Sequence, residues 1–480
     1  MNLSLLTDLY QITMANAYFK THLADRQAVF HLFFRKTPYR GGFTVAAGLE
    51  AAIEFIETFH YDASDLHYLA SLRDLEGNLY FDEPFLAWLE KMKLEVDVDA
   101  VKEGTVVFPF EPLIRVKGPL IQAQLLESPL LNLINFPTLI ATKAARLKIA
   151  AQNDTLLEFG MRRAQGIDGA LTASRSAYIG GCDFTSNLLA GKKYGIPVRG
   201  THAHSWVMVF EEEEEAFRAY AEAMPGNTIF LVDTYDTLEG VEKAIEVGKW
   251  LKSRGKTFFG IRLDSGDLAY LSIEARRRLD ESGFPEAIIS ASNELDEEII
   301  AELKRQGASI TVWGVGTKLV TSANQSALDG VYKLSCVQDK NGQWRDTLKL
   351  SEQMLKISTP GILQVRRFIK DGSYLADMIY DSRSNLKGTP HLIDPFDPTR
   401  EKKLSSEMPY IDLLEPIFRK GKRVYELPLL ADIRSRTAQE LTRFHSGVKR
   451  FLNPHQYVVG LETSLYEKKT ALVRQIRTSR

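Results

Sequence analysis

Between residues 155 and 317 the chain keeps a rhythm that few folds accommodate: a short apolar run, a polar tip, a helical tract, then the next apolar run. Six such runs end near Glu158, Gly200, Asp233, Arg262, Ser292 and Gly314, at intervals of 22 to 42 residues. Parallel strands need crossovers of this length, so the spacing reads as successive strand–helix units. Polar residues collect at the end of every run rather than at one point of the series. No G-x-G-x-x-G follows the first run. Both features favour an α/β barrel, partial or complete, over an open dinucleotide-binding sheet.

The flanking sequence is different. Asp8 with Gln11 marks a helix start before LYQITMANAYF, an N-cap with its reciprocal glutamine. Residues 29–35 read as a strand, 40–42 as a turn, FTVAAGL as another strand and 50–59 as a helix, with a polar helical tract running to about residue 92. Short β-like pieces then alternate with Gly and Pro between 94 and 125. Residues 1–127 are therefore expected to form an α/β sandwich layer with an antiparallel sheet. A long apolar helix starting near Ser128-Pro129 opens the barrel domain, 128–330. Beyond it, Asn341-Gly342 and Asp371-Gly372 each separate two strand-like runs, a strong hairpin signal. Residues 331–395 are expected to return to the sandwich, with 385–398 a loop. Residues 396–480 form a mixed C-terminal region ending in a basic, solvated helix.

Bulk properties exclude several partners. The chain has 480 residues, more than one typical core. With 60 basic and 62 acidic residues its net charge is −2, which favours neither nucleic acid nor an anionic membrane. No apolar run approaches the ~20 residues that span a bilayer, and the N-terminus lacks the basic and apolar regions of a signal peptide. Two cysteines, Cys182 and Cys336, suit a reducing compartment. A cytoplasmic enzyme is expected.

The run ends offer specific chemistry. Arg162 and Arg163 set permanent cations at the barrel mouth, where planar forks hold carboxylate or phosphate. Thr201-His202-Ala203-His204-Ser205 brings two histidines, on one face if the backbone is extended. Asp233 reads as a cap for the next helix. Arg262-Leu263-Asp264-Ser265-Gly266-Asp267 flanks a bend with two carboxylates, suited to Mg²⁺ or to vicinal sugar hydroxyls, or else to simple turn hydrogen bonding. Asn293 adds neutral polar groups. Gly314, Gly316 and Thr317 close the series where barrels commonly keep a phosphate site. No H-e-x-x-H-type, G-x-S-x-G or Walker A motif occurs. The groups suit a phosphorylated sugar substrate with Mg²⁺.

At these residues the chain resembles the nicotinate phosphoribosyltransferases. The resemblance runs through TDLYQITMANAYF, SPLLNLINFPTLIATKAAR, EFGMRRAQGIDG, GTHAHSW, RLDSGDL, SNELDE, WGVGTKLVTS and GVYKL, with an echo in RFLNPHQYVVGL. It implies the type II phosphoribosyltransferase fold, an irregular TIM-like α/β barrel joined to an α/β sandwich. It also implies the reaction of nicotinate with phosphoribosyl pyrophosphate, giving nicotinate mononucleotide and pyrophosphate, coupled to ATP hydrolysis in NAD salvage. By the same resemblance His204 is the catalytic phosphohistidine. Arg162 and Arg262 surround the phosphoribosyl and nicotinate groups, and Gly316 and Thr317 hold the 5′-phosphate. Asp264 and Asp267 lie beneath the ribose and its Mg²⁺, and Tyr10 covers the pyridine ring of a neighbouring subunit in a homodimer. The role of His202 is left open. Two alternatives stand beside this reading: a nicotinamide phosphoribosyltransferase of the same fold, and a non-catalytic nucleotide-binding relative.

Overall fold

The computed structural model describes residues 2–386 and 388–479. They form two compact units, one made of the chain up to Leu139 together with Ala327 onward, the other of Ile140–Ser326.

The first unit is built on largely antiparallel sheets. The strand Gln27–Phe33 (QAVFHLF) is buried along almost its whole length, as a run of consecutive apolar residues in a central strand requires. It pairs with Ile114–Pro119 on one side and Val331–Gln338 on the other, inside a seven-stranded sheet. Chain segments from before the barrel and after it therefore share one sheet. His31 is the buried polar residue of this strand, and its Nε2 accepts the Leu363 N–H at 3.2 Å. A second sheet of six strands is organised around the hairpin of Leu363–Lys370 and Ser373–Asp381. Its turn residues Asp371 and Gly372 have φ of 50° and 78°, the left-handed pair that matches the strand twist.

Three local expectations fail here. The helix Leu9–Lys20 follows Asp8, but the Asp8 side chain makes no cap bond and instead accepts the Ser128 hydroxyl at 2.6 Å. Gln11 likewise donates to Glu127, at 2.9 Å, so packing partners replace the capping box. Only Thr44–Val45 of FTVAAGL is strand. The run stops because Gly48, at φ 101°, turns the chain into the helix Leu49–Thr58. The expected loop 385–398 contains the strand His391–Ile393, which pairs with Glu401–Lys403.

The second unit is a parallel sheet with interleaved helices. Its strand order is Phe184–Thr185, Thr155–Glu158, Val312–Val315, Ile288–Asn293, Gly260–Leu263 and Ile229–Leu231. This is the irregular α/β barrel, and its strands are short and mostly buried. One strand is not where the apolar runs put it. Residues 196–200 form only a single bridge, Val198 to Thr185, because Pro197 has no N–H to give and supplies its carbonyl alone, to Thr185 at 3.1 Å. Between that bridge and Thr155–Glu158 stands Phe184–Thr185, two residues, too few to show as a run. No helix among the described residues is long and apolar enough to cross a membrane.

Candidate active site

A cleft of about 570 Å³ opens at the C-terminal ends of the parallel strands, lined by Arg162, Thr201, His204, Arg262, Asp264 and Thr317 among others. Its volume lies in the range of small-molecule sites. His202, Asn293, Gly314 and Gly316 also line it. Of the residues singled out in the barrel sequence, Ser265 and Asp267 are directed elsewhere. Asp267 caps the helix Leu268–Glu281, accepting the Tyr270 N–H at 3.0 Å. Ser265 donates to Asp233 at 2.6 Å. Tyr10 belongs to the first unit, on the exposed side of its helix.

The two histidines part company. Ala203 is extended, but His204 begins the short helix His204–Val207, so the shared face that an extended backbone would give is lost. His202 turns inward, 7% exposed, against the ring of Tyr220 at 4.8 Å. Its Nε2 accepts the Leu231 N–H at 3.3 Å, and burial pushes its pKa down to about 4. His204 is half-buried at the cleft. Its Nδ1 meets the Thr234 hydroxyl at 3.1 Å, leaving Nε2 on the side of Asp264, whose Oδ2 is 3.8 Å away.

Asp264 is held from two directions. Its N–H donates to Asp233 at 2.9 Å, and the Ser292 hydroxyl donates to its Oδ1. Asp233, expected only as a cap, is therefore the clamp of the acidic loop, while Asp236 caps the next helix. Arg262 lies one strand residue from the loop, and its Nη1 donates to the Thr201 hydroxyl at 2.5 Å. Its Nε is a buried donor with no hydrogen-bond partner. Burial lowers its pKa, Asp264 and Asp233 oppose that shift, and the Arg162 charge adds to it. A half-buried guanidinium with an unused donor is a strong attractor for an anion.

The arginine tip is braced from below. Glu158 is 1% exposed and receives the Ser174 hydroxyl at 2.8 Å, the Thr185 hydroxyl at 2.6 Å and the N–H of Gly160. That carboxylate fixes the turn Met161–Arg163, which presents Arg162 and Arg163 to solvent at the cleft. In the neighbouring strand Gly314 permits close packing. A Cβ there would stand 2.7 Å from the Phe159 ring and 3.3 Å from Ser292. Thr317 opens the next short helix, its hydroxyl donating to Glu294 at 3.1 Å. Among the described residues no group of three or more His, Cys, Asp or Glu gathers as a metal centre.

The chain has close relatives. Residues 155–351 match the model of the nicotinate phosphoribosyltransferase (NAPRTase) family, residues 5–135 its N-terminal domain and residues 363–469 its C-terminal domain. The chain belongs to the nicotinate phosphoribosyltransferase family. It is 43% identical to the nicotinate phosphoribosyltransferase of Bacillus subtilis, across 99% of this chain and 96% of that one. With the human nicotinate phosphoribosyltransferase it shares 35% identity over 98% and 96% of the two chains. A crystal structure of human nicotinic acid phosphoribosyltransferase superimposes with a TM-score of 0.83 at 32% identity, covering 97% and 99% of the chains. Family membership thus rests on the entire chain, including the regions outside the barrel.

Proposed function

We propose that the protein joins nicotinate to phosphoribosyl pyrophosphate, releasing pyrophosphate and forming nicotinate mononucleotide, and couples this to ATP hydrolysis. The observation that carries the reading is Arg262. A half-buried guanidinium whose Nε has no hydrogen-bond partner, beside Asp264 and the half-buried His204, is what an anionic pyridine and a charged ribose would need, in a chain of this family.

In this reading pyrophosphate leaves C1 of the ribose as the pyridine nitrogen attacks. The protein's work is positioning and charge stabilisation. Arg162 balances charge on the departing pyrophosphate, and Arg262 engages the nicotinate carboxylate. Asp264 carries a negative charge to where the ribose becomes cationic, and the Gly316–Thr317 turn takes the 5′-phosphate. Mg²⁺ fits the donor set through Asp264, since this ion commonly keeps water and substrate phosphates as its other ligands, and it would neutralise the pyrophosphate. His204 accepts the γ-phosphoryl group of ATP on Nε2, with ADP leaving, and water later releases phosphate. Nδ1, engaged by Thr234, holds the ring in place.

The same reading makes the protein a homodimer whose Tyr10 reaches a second copy's cleft. Its support is an exposed apolar set on the N-terminal segment, Leu3, Leu6, Leu9, Tyr10 and Met14, more than a solvated helix needs. A cytoplasmic location completes it, in keeping with two buried free thiols. The test is direct: purified protein with nicotinate, phosphoribosyl pyrophosphate, Mg²⁺ and ATP should form nicotinate mononucleotide and ADP. Formation of the amide nucleotide from nicotinamide at equal efficiency, or of neither product, would refute it.

A further inference from the structure

Thr201 and His202 are adjacent in the chain, and each grips one of two residues that stand side by side in neighbouring strands. In the parallel sheet Leu231, of Ile229–Leu231, is the register partner of Arg262, of Gly260–Leu263. His202 Nε2 accepts the Leu231 N–H at 3.3 Å, and the Thr201 hydroxyl oxygen accepts Arg262 Nη1 at 2.5 Å. The histidine thus holds the backbone of one residue, and the threonine holds the side chain of its neighbour.

This bracket is anchored on both sides of Thr201. Before it, the Gly200 carbonyl accepts Asn227 Nδ2 at 2.9 Å, and the same amide donates to the Tyr220 hydroxyl at 2.9 Å. After it, His202 is buried against the Tyr220 ring. Burial keeps that imidazole neutral, so it stays an acceptor. The Thr201 hydroxyl turns its own proton toward the His202 carbonyl, at 3.4 Å, which leaves its lone pairs for the arginine. A β-branched side chain has few χ1 choices, so an anchored backbone also aims the hydroxyl.

What the bracket controls is direction. A guanidinium is a rigid planar fork, and it engages a carboxylate through two parallel bonds only when the two planes are aligned. Charge does not set that plane. Asp264 and Asp233 act on Arg262 electrostatically, whereas the Thr201 hydroxyl is, among the described residues, the hydrogen-bond acceptor that its side chain reaches.

We infer that Thr201 is the positioning residue for acid selectivity: its hydroxyl fixes the plane of the Arg262 fork, and His202 fixes Thr201. The inference rests on the reading that Arg262 engages the nicotinate carboxylate. It gives His202 a task that needs no contact with substrate, and it explains why the two histidines of this segment face different surroundings.

The test measures KM and kcat for nicotinate and for phosphoribosyl pyrophosphate in full-length T201V, T201S, R262A and T201V/R262A. T201V keeps the branched shape without the acceptor. It should raise KM for nicotinate about tenfold, the value of one hydrogen bond. The loss should fall on that KM rather than on kcat, with a much smaller change for phosphoribosyl pyrophosphate. T201S restores the acceptor and should recover most of the loss. In the double variant the threonine change should add less than about twofold to the R262A loss, because the two side chains act as one unit. A parental KM for nicotinate in T201V, beside a raised one in R262A, would overturn the inference and leave the reading of Arg262 standing. A parental KM in R262A would remove that reading and the inference with it. Equal losses for both substrates in T201V, additive losses in the double variant, or T201S as impaired as T201V would make Thr201 a general support of the loop and refute its part in aiming the fork.

Discussion

The Nε2 atom of His202 accepts the backbone N–H of Leu231 at 3.3 Å, and this bond separates the two histidines of the Thr201–Ser205 segment by function. Leu231 lies in an edge strand of the parallel sheet, so its N–H needs a partner from outside the ladder. His202 supplies it with a neutral, acceptor nitrogen. Replacing His202 with Ala removes that acceptor and leaves a buried donor unsatisfied, which costs about 1–3 kcal/mol. Urea unfolding should show a loss of that size, whereas the capacity to form acid-labile phosphate should survive. A variant as stable as the parent would contradict the bond's role.

His204 carries the opposite expectation. It is half-buried, tied to Thr234 through Nδ1, and has Nε2 near Asp264. H204A should unfold at nearly the parent's urea midpoint but incorporate no label from γ-labelled ATP and show no nicotinate-independent ATPase. H202A should incorporate label. Persisting acid-labile phosphate on H204A would move the modification to another residue.

Arg262 sets acid against amide. A planar fork engages a carboxylate through two bonds, where a carboxamide leaves donors unpaired. R262A should raise KM for nicotinate by roughly 100-fold or more with a much smaller change for phosphoribosyl pyrophosphate. R262K restores charge but not the fork, and should recover little of the loss. Equal losses for both substrates would transfer the carboxylate role to Arg162.

The sequence displayed the barrel through its run spacing, and most of the cleft through its polar run ends. Arg162, His204, Arg262, Asp264 and Thr317 do share one wall or another of a single cavity. What it concealed were residues whose meaning depends on a partner far along the chain. Asp233 looked like a helix cap because Asp236 three positions later is one; its actual partners, Asp264 and Ser265, lie about thirty residues on. Glu158 ended an apolar run, and nothing local announced that Ser174 and Thr185 would converge on it. Phe184–Thr185 was invisible because two residues carry no periodicity, while Ile196-Pro197-Val198 mimicked a strand that Pro197 prevents. The capping reading of Asp8 failed for a related reason: Ser128 competes for the same carboxylate.

Buried neutral histidines give the fold an acid limit. Burial pushes His31 to about 3 and His202 to about 4, both below the unfolded value near 6.5. A depressed folded pKa means that the unfolded chain binds the proton first. The stabilisation is therefore complete above about pH 6.5 and is lost as pH falls toward the folded values, at up to about 1.4 kcal/mol per pH unit for each group. Urea midpoints measured between pH 7 and pH 5 should fall for the parent. H31Q, which keeps an acceptor for the Leu363 N–H without titrating, should show a shallower fall from a lower starting stability. A slope unchanged by H31Q would mean that His31 does not drive the acid loss.

Assembly is the remaining expectation with a decisive test. Tyr10 is 48% exposed; on its helix Leu9 and Met14, and just before it Leu6, are exposed as well. Its hydroxyl pKa is raised, chiefly by partial burial and next by Glu127, so the group is a neutral phenol at physiological pH. A ring of this kind suits stacking on a pyridine better than solvation. If it serves a second copy's cleft, Y10A should lower activity without altering labelling of His204 by ATP, because phosphorylation needs only the barrel. Co-expression of Y10A with H204A then provides the test. Each mixed dimer would keep one cleft with both native residues, so purified heterodimers should regain about half the parent's activity per dimer, as expected when sites act independently. Activity should also fall on dilution below the dimer dissociation constant. Heterodimers without recovery, or full activity in a species that sediments as a monomer, would exclude the shared site.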